Sequence, residues 1–341
     1  MKAIILAAGK GTRLSPLTKK IPKPLIPLCN LPTLIFAIHK ILKSGINHIG
    51  LVISPKDKEY FESFIKEYNL YKNINIIIQN VPLGVAHAVK EAKNYIKEDD
   101  FLLYLGDNLI KDDLKVFKNK FEEDDLDALL LLKEIDDPSM FGVAQIDPQG
   151  KLINIEEKPP KPKSNLAVSG LYFFKNNIFN EIERVELSER GEFEITDAIT
   201  LLISKEKIKG VKLKGWWVDT GSREQILEAN ALIMNEIFNG GYKDLYSAYN
   251  FQDKLLIGSN VKLANVKING YAIIGNNTNI ISTNLSRNVS ISNNNNIKDS
   301  SISNSIVLEG NNCNKFEIID SLVGSKYKKG VNNKIKDIID S

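Results

Sequence analysis

The sequence predicts an α/β sheet domain followed by a left-handed parallel β-helix. Three observations carry this. Residues 1–240 alternate strand-length apolar runs with helical periodicity, the order of a parallel or mixed sheet with helices on its faces. The first apolar run ends in glycines, as a strand feeding a tight turn does. After residue 250 helical periodicity disappears, Asn and Ser become abundant, and aliphatic residues recur every five or six positions. The expected domains are therefore 1–240 and 251–341, with Gly240-Gly241 near the boundary.

Lys2 to Ala8 reads as a buried strand running into Gly9-Lys10-Gly11-Thr12-Arg13. Pro32 to Ser44 reads as a helix, with Leu34, Ile35, Ile38, Ile41 and Leu42 on one side and Gly45 closing it. Strands are expected at Ile49–Ile53, Ile74–Ile78, Phe101–Leu105 and Ala128–Leu132, and helices at Ala86–Ile96 and about Arg223–Phe238. Ligands of such sheets bind at the carboxyl ends of strands, so Gly9, Gln79 and Asp107, each just past a strand, are expected to converge. In the C-terminal segment Ile257, Leu263, Ile268, Ile274, Ile280, Leu285, Ile291, Ile297 and Ile302 would fill a coil whose corners take Asn and Ser. The spacing is least regular around Asn293–Asn296.

Composition excludes several classes. With 341 residues, 43% hydrophobic and 26% charged, the chain reads as globular and long enough for two domains. The net charge of +3 comes from interspersed acids and bases, so no nucleic-acid partner is expected. No run reaches ~18 apolar residues, so no membrane span is expected. The fold starts at the first residues with no signal-peptide pattern, and two cysteines, Cys29 and Cys313, fit a reducing cytoplasm. The histidines, His39, His48 and His87, read as packing residues; His87 lies near the expected base site, where a supporting role is open.

The glycine-rich loop is neither a Walker A loop, for which Lys10 and Thr12 are misplaced, nor a dinucleotide fingerprint, since position 14 is Leu. Backbone N–H groups of such a turn face an anion, with Arg13 and Lys23 as nearby cations. The whole string from Leu6 to Thr18 (LAAGKGTRLSPLT), followed by Pro22-Lys23-Pro24-Leu25, resembles the signature of the sugar-1-phosphate nucleotidyltransferases. Leu105-Gly106-Asp107-Asn108, Glu156-Glu157-Lys158-Pro159, Asn165–Phe173, Ser188–Asp197 and Trp216–Gly221 follow in the order found in the glucose-1-phosphate thymidylyltransferases. The resemblance covers about residues 1–235, and the coil resembles that of the family's long form.

The resemblance implies a Rossmann-like domain and a set of roles. Leu6, Ala8, Gly9, Gly11 and Thr12 would line the nucleotide pocket, with Arg13 on the departing pyrophosphate and Lys23 on phosphate at the reacting centre. Gln79 would read the pyrimidine edge, and Gly84 would let the base approach. Asp107 and Asp219 would hold Mg²⁺, which takes a few hard oxygens plus substrate phosphate. Asn108, Gly142, Glu157 and Val168 would contact the sugar, and Lys158 and Arg190 its phosphate. The implied substrates are dTTP, or UTP, and a sugar 1-phosphate, and the expected assembly is a homo-oligomer.

A phosphate monoester is ionised at neutral pH, so in-line attack on the α-phosphorus needs no general base. The obstacle is bringing two anions together, which cations relieve. Pro24 stands where the short form has Gln, and Pro-Lys-Pro-Leu also resembles some uridylyltransferases. Thymine and uracil differ by one methyl, worth about 1–3 kcal/mol of discrimination. The sugar is open between glucose 1-phosphate and its N-acetylglucosamine counterpart. A fused acyltransferase would by resemblance need a histidine base, and no histidine follows His87, so the coil is expected to serve oligomerisation or regulation. A non-catalytic binding subunit should lack cationic or metal positions, yet Arg13, Lys23, Asp107, Lys158 and Asp219 are all present.

Overall fold

Apolar residues on both faces of the first strand, β1 (Lys2–Leu6), place it at the centre of a mixed sheet. The computed structural model describes residues 1–203, 207–326, 334–335 and 338–339. The chain forms two compact units, each discontinuous in sequence: Met1–Gly9 with Phe36–Asp219, and Lys10–Ile35 with Thr220–Ser341.

In the first unit β1 lies between β2 (Ile49–Ile53) and β4 (Phe101–Leu105), with β3 (Ile74–Ile78) beyond β2, all parallel. The chain winds outward from β1 to β3 and then crosses to β4 on the other side of β1. That reversal opens a crevice at the carboxyl ends of β1 and β4, where open sheets bind ligands. Leu6 pairs with Val52 and Leu105, so these strands end level, and Gln79 N–H donates to Ile53 O at 2.9 Å. Both faces are covered, which explains why the strands are continuous apolar runs. Ile4, Val52, Phe101 and Leu103 pack on one face against Ala86 and Val89 of α3 (Val85–Glu91). Fully burying each such side chain contributes about 1.5–3 kcal/mol.

The sheet turns antiparallel beyond β4. There β9 (Leu166–Phe174) pairs with β4 and with β6 (Ala128–Glu134), and β7 (Gly142–Ile146) pairs with β9 and with β8 (Leu152–Glu157). A separate ribbon joins β5 (Asn108–Ile110) to β11 (Trp217–Asp219), after β10 (Ile208–Lys212) has paired parallel to β6. The helix expected as one piece over Ala86–Ile96 is two, broken at Ala92: its N–H bonds Val89 O at 3.0 Å, a tighter turn than the α-helix allows.

The second unit contains a β-helix built as three stacked sheets of short strands, parallel except for an edge strand, Asn250–Gln252, that runs antiparallel to Leu255–Ile257. Amide ladders join residues 17 apart, such as Asn260 to Asn277, and later 16 apart, such as Asn296 to Asn312. Ile274, Ile280, Leu285, Ile291, Ile297 and Ile302 form its interior with Val289 and Ile318, as the five-and-six spacing predicts. Leu263, in the first coil, is 37% exposed.

The corners explain the asparagines. Asn260, Asn277 and Asn294 share one corner column with φ of 55–59°, and Asn tolerates this left-handed conformation better than other side-chain-bearing residues. The irregular stretch at Asn293–Asn296 holds the same stack: Asn293 Oδ1 accepts the Asn276 N–H at 2.7 Å and buried Asn295 Oδ1 accepts the Asn311 N–H at 2.8 Å. The helix α6 (Arg223–Phe238) belongs to this unit and meets the coil through polar and aromatic contacts. Its buried Asn230 accepts from Cys29 N–H and from the Ser290 hydroxyl, both at 2.8 Å, and Phe238 stacks on Tyr271. Residues 327–333, 336–337 and 340–341 of the expected coil lie outside the described residues.

Candidate active site

At the carboxyl edge of the first unit, β1 ends at Leu6 and the chain continues through buried Ala7 and Ala8 to exposed Gly9. Gly106 N–H donates to Leu6 O at 2.9 Å, and a Cβ on Gly106 would stand 2.8 Å from that oxygen, so only glycine lets the β4 end lie this close to β1. Gln79 is buried on the far side of the same edge, and its Nε2 lies 3.0 Å from His87 Nδ1 on α3.

Gly84 precedes α3 with φ of 102°. A Cβ there would stand 2.6 Å from Phe193 O and 2.8 Å from Phe193 N. Phe193 N–H donates to Leu83 O and Ala86 N–H to Phe193 O, at 2.7 and 3.0 Å. The glycine is thus required by the backbone of the Ser188–Asp197 segment, whatever else approaches it. This contact binds the Gln79 loop to the loop that carries Arg190.

The β5–β11 ribbon pairs Asp219 with Asn108, the residue after Asp107. Asn108 is 4% exposed. Its Nδ2 donates to Asp107 Oδ1 at 2.9 Å, and its Oδ1 accepts from Trp217 Nε1 at 2.8 Å. That indole also reaches Ser169 O at 3.0 Å, in a β9 segment bulged between Val168 and Tyr172. Asn108 therefore orients Asp107 and keeps one N–H and one Oδ1 lone pair for anything else. One or two carboxylates are enough for Mg²⁺, which takes most of its shell from water and substrate phosphates. Among the described residues no cluster of three or more His, Cys, Asp or Glu offers an all-protein metal cage.

A third group gathers where β7, β8 and β9 meet α5 (Ile195–Ile203). A Cβ on Gly142 would lie 3.4 Å from Glu157 Oε2, 3.5 Å from Val168 Cγ2 and 3.2 Å from Thr196 Cγ2, so Gly142, Glu157 and Val168 share one recess with Thr196. Thr196 Oγ1 donates to Glu157 Oε2 at 3.3 Å. Arg190 Nη1 spans Glu157 Oε1 at 3.3 Å and Glu194 Oε1 at 3.2 Å, and Lys158 Nζ lies 3.8 Å from Glu157 Oε1. Burial, with the like charge of Glu194, pushes the Glu157 carboxyl above its usual range, against the pull of Lys158 and Arg190. Lys158 has φ of 41°, a conformation that costs a non-glycine residue of order 1 kcal/mol or more and points to a functional constraint.

The remaining expected residues lie in the second unit. Gly11, with φ of 62°, begins a single turn over Thr12–Leu14. A Cβ on Gly11 would meet Thr18 Cγ2 at 3.0 Å and Lys23 Cβ at 3.1 Å, while Thr18 Oγ1 donates to Gly11 O at 2.9 Å. Lys23 is 8% exposed, its stem against that turn, whereas Thr12 and Arg13 are exposed. Gly221 makes room for Arg13, since a Cβ there would stand 2.6 Å from Arg13 Nη2.

Sequence reasoning missed Thr196, Glu194 and Trp217 as site residues. Each acts through a partner remote in sequence, and only their position inside longer strings could have flagged them.

Comparison with known proteins agrees with this architecture. Residues 2–236 match the family of nucleotidyl transferases. The chain is 38% identical to the low-salt glycan biosynthesis nucleotidyltransferase Agl11 of Haloferax volcanii over 77% of this chain and 73% of that one. It is 36% identical to the glucose-1-phosphate thymidylyltransferase of Streptomyces antibioticus over 80% of this chain and 77% of that one. A crystal structure from Bacillus anthracis, assigned as a glucose-1-phosphate thymidylyltransferase and holding sucrose, superposes with a TM-score of 0.64 at 34% identity, covering 68% of this chain and 94% of that chain.

Proposed function

The chain belongs to the nucleotidyl transferase family, and we propose that it joins dTTP to α-D-glucose 1-phosphate, giving dTDP-glucose and pyrophosphate. The observation that carries the choice of substrates is the 36% identity, across four-fifths of the chain, with a protein named for that reaction. A sugar-phosphate oxygen forms a bond to the α-phosphorus as the bond to the departing pyrophosphate breaks in line.

Arg13 and Lys23 take up charge on the transferred and departing phosphates. Lys158 and Arg190 hold the sugar phosphate, while Glu157 accepts from sugar hydroxyls in the recess floored by Gly142 and Val168. Leu6, Ala8, Gly9, Gly11 and Thr12 line the nucleotide site, and Gln79 reads its base. Asp107 and Asp219 would hold Mg²⁺, with Asn108 fixing Asp107; an ion bound there would supply positive charge to the substrate phosphates. The chain itself supplies orientation and cations, so no nucleophilic side chain and no general base enters the scheme.

Pro24 supports a second reading, a UTP-dependent enzyme acting on glucose 1-phosphate or N-acetylglucosamine 1-phosphate. Mass spectrometry of products from an equimolar mixture of dTTP, UTP and the two sugar phosphates decides. A dominant dTDP-glucose product supports the first reading. A dominant UDP-sugar overturns it in favour of the second.

A further inference from the structure

We infer that His87 is a positioning residue that locks the side-chain amide of Gln79 in one of its two orientations, and so makes the site select bases that present an N–H beside a carbonyl. The inference rests on the reading that Gln79 faces the base.

An amide NH₂ group can only donate, so at 3.0 Å from Gln79 Nε2 the His87 Nδ1 is the acceptor. The ring proton then sits on Nε2, which lies 3.5 Å from Glu91 Oε1 one helical turn on. A carboxylate at that distance favours this tautomer. The ring of Phe193 lies nearly parallel to the imidazole, with centroids 6.3 Å apart and planes 22° apart. Phe193 is itself fixed by its backbone bonds to Leu83 and Ala86. The imidazole is thus held at both nitrogens and on one face.

Reversing the Gln79 amide would set its oxygen against the Nδ1 lone pair, two acceptors with no proton between them. One Nε2 proton is therefore committed to His87. The other, with Oε1, forms a donor–acceptor pair of fixed sense. Thymine and uracil meet that pair with N3–H and a flanking carbonyl. Cytosine in the same pose offers an unprotonated N3 where the protein offers Oε1, or an amine where it offers N–H. Rejection by such a mismatch is strong because it leaves buried polar groups unpaired.

The test is the ratio of kcat/KM for dTTP to that for dCTP, and for UTP to CTP, with glucose 1-phosphate as acceptor. A ratio taken on one preparation is insensitive to partial unfolding. His87→Ala frees the amide to turn and is expected to lower both ratios at least tenfold, with the KM for sugar phosphate unchanged. His87→Asn can return an acceptor oxygen near the Nδ1 position and is expected to restore most of the selectivity. Ratios within twofold of the parent in His87→Ala overturn the inference if Gln79→Ala collapses them. Ratios unchanged in Gln79→Ala overturn the base-reading role of Gln79, and the inference with it.

Discussion

Arg13 lies against a residue two hundred positions away. A methyl group at Gly221 would stand 2.6 Å from the Arg13 guanidinium, which would have to turn aside. Gly221→Ala should displace that guanidinium and lower kcat about tenfold, and Arg13→Ala should lower it more, by up to ~3 kcal/mol of transition-state stabilisation. Gly221 is buried, so steady-state kinetics are read beside a thermal melt, which separates this effect from unfolding. Glu157 makes a different prediction. Its raised carboxyl means the native state binds that proton more tightly than the unfolded chain. Stability is then lost as pH rises from the ordinary value of 4.5 through the raised one. Glu157→Gln should raise the KM for sugar phosphate about tenfold, and its Tm relative to the parent should climb over that pH window. A Tm difference that is flat with pH would contradict this. The two thiols are buried, with Cys313 pushed up to about 11 and Cys29 further, so neither should react with a thiol reagent before unfolding. The residues that the sequence made visible sit in contiguous strings, such as Gly9 to Arg13. Thr196 and Trp217 stayed hidden because one hydroxyl or one indole carries no local signature, and its meaning depends on what the fold sets opposite.

Strands and helices were legible where one physical signal dominated. Runs such as Ile49–Ile53 read as strands buried on both faces, and the helix expected at about Arg223–Phe238 forms with those bounds, the Ser222 hydroxyl accepting from Gln225 N–H at its start. The break at Ala92 was not legible, because alanine-rich segments carry no penalty against continuing a helix. The coil was readable from its aliphatic spacing. Its asparagines obscured the pattern, although several of them close corners and tie one coil to the next. They fall into two energetic classes. Asn295 is buried, accepts from Asn311 N–H and donates to Ser292 O at 2.8 Å each, whereas Asn296 is exposed. Asn295→Ala should therefore cost about 1–3 kcal/mol and Asn296→Ala less than ~0.5 kcal/mol. Urea denaturation of the two variants side by side checks this, and equal midpoints would contradict it. Gly84→Ala tests the junction of two loops: both its φ and the Phe193 backbone oppose a Cβ. It should lower the Tm and the affinity for nucleotide together.

At the scale of the whole molecule, a nearly neutral chain handles two polyanionic substrates by placing cations locally rather than by net charge. Family and reaction class were legible from the first twenty-five residues, because a phosphate site at a strand end needs particular residues at particular spacings. The division into compact units was not legible as a single cut in the sequence. Lys10–Ile35 and α6 group with the coil, an arrangement made by long-range contacts such as Cys29 with Asn230. Chelation should abolish turnover and added Mg²⁺ restore it, since among the described residues no cluster of three or more His, Cys, Asp or Glu could retain the ion against a chelator. The central claim is direct transfer of the nucleotidyl group to the sugar phosphate. It is tested by pyrophosphate release from dTTP with Mg²⁺, measured with and without glucose 1-phosphate. The account predicts sustained release only when the sugar phosphate is present, and its loss in Arg13→Ala. Release without the acceptor, or none with dTTP or UTP and either sugar phosphate, would contradict it.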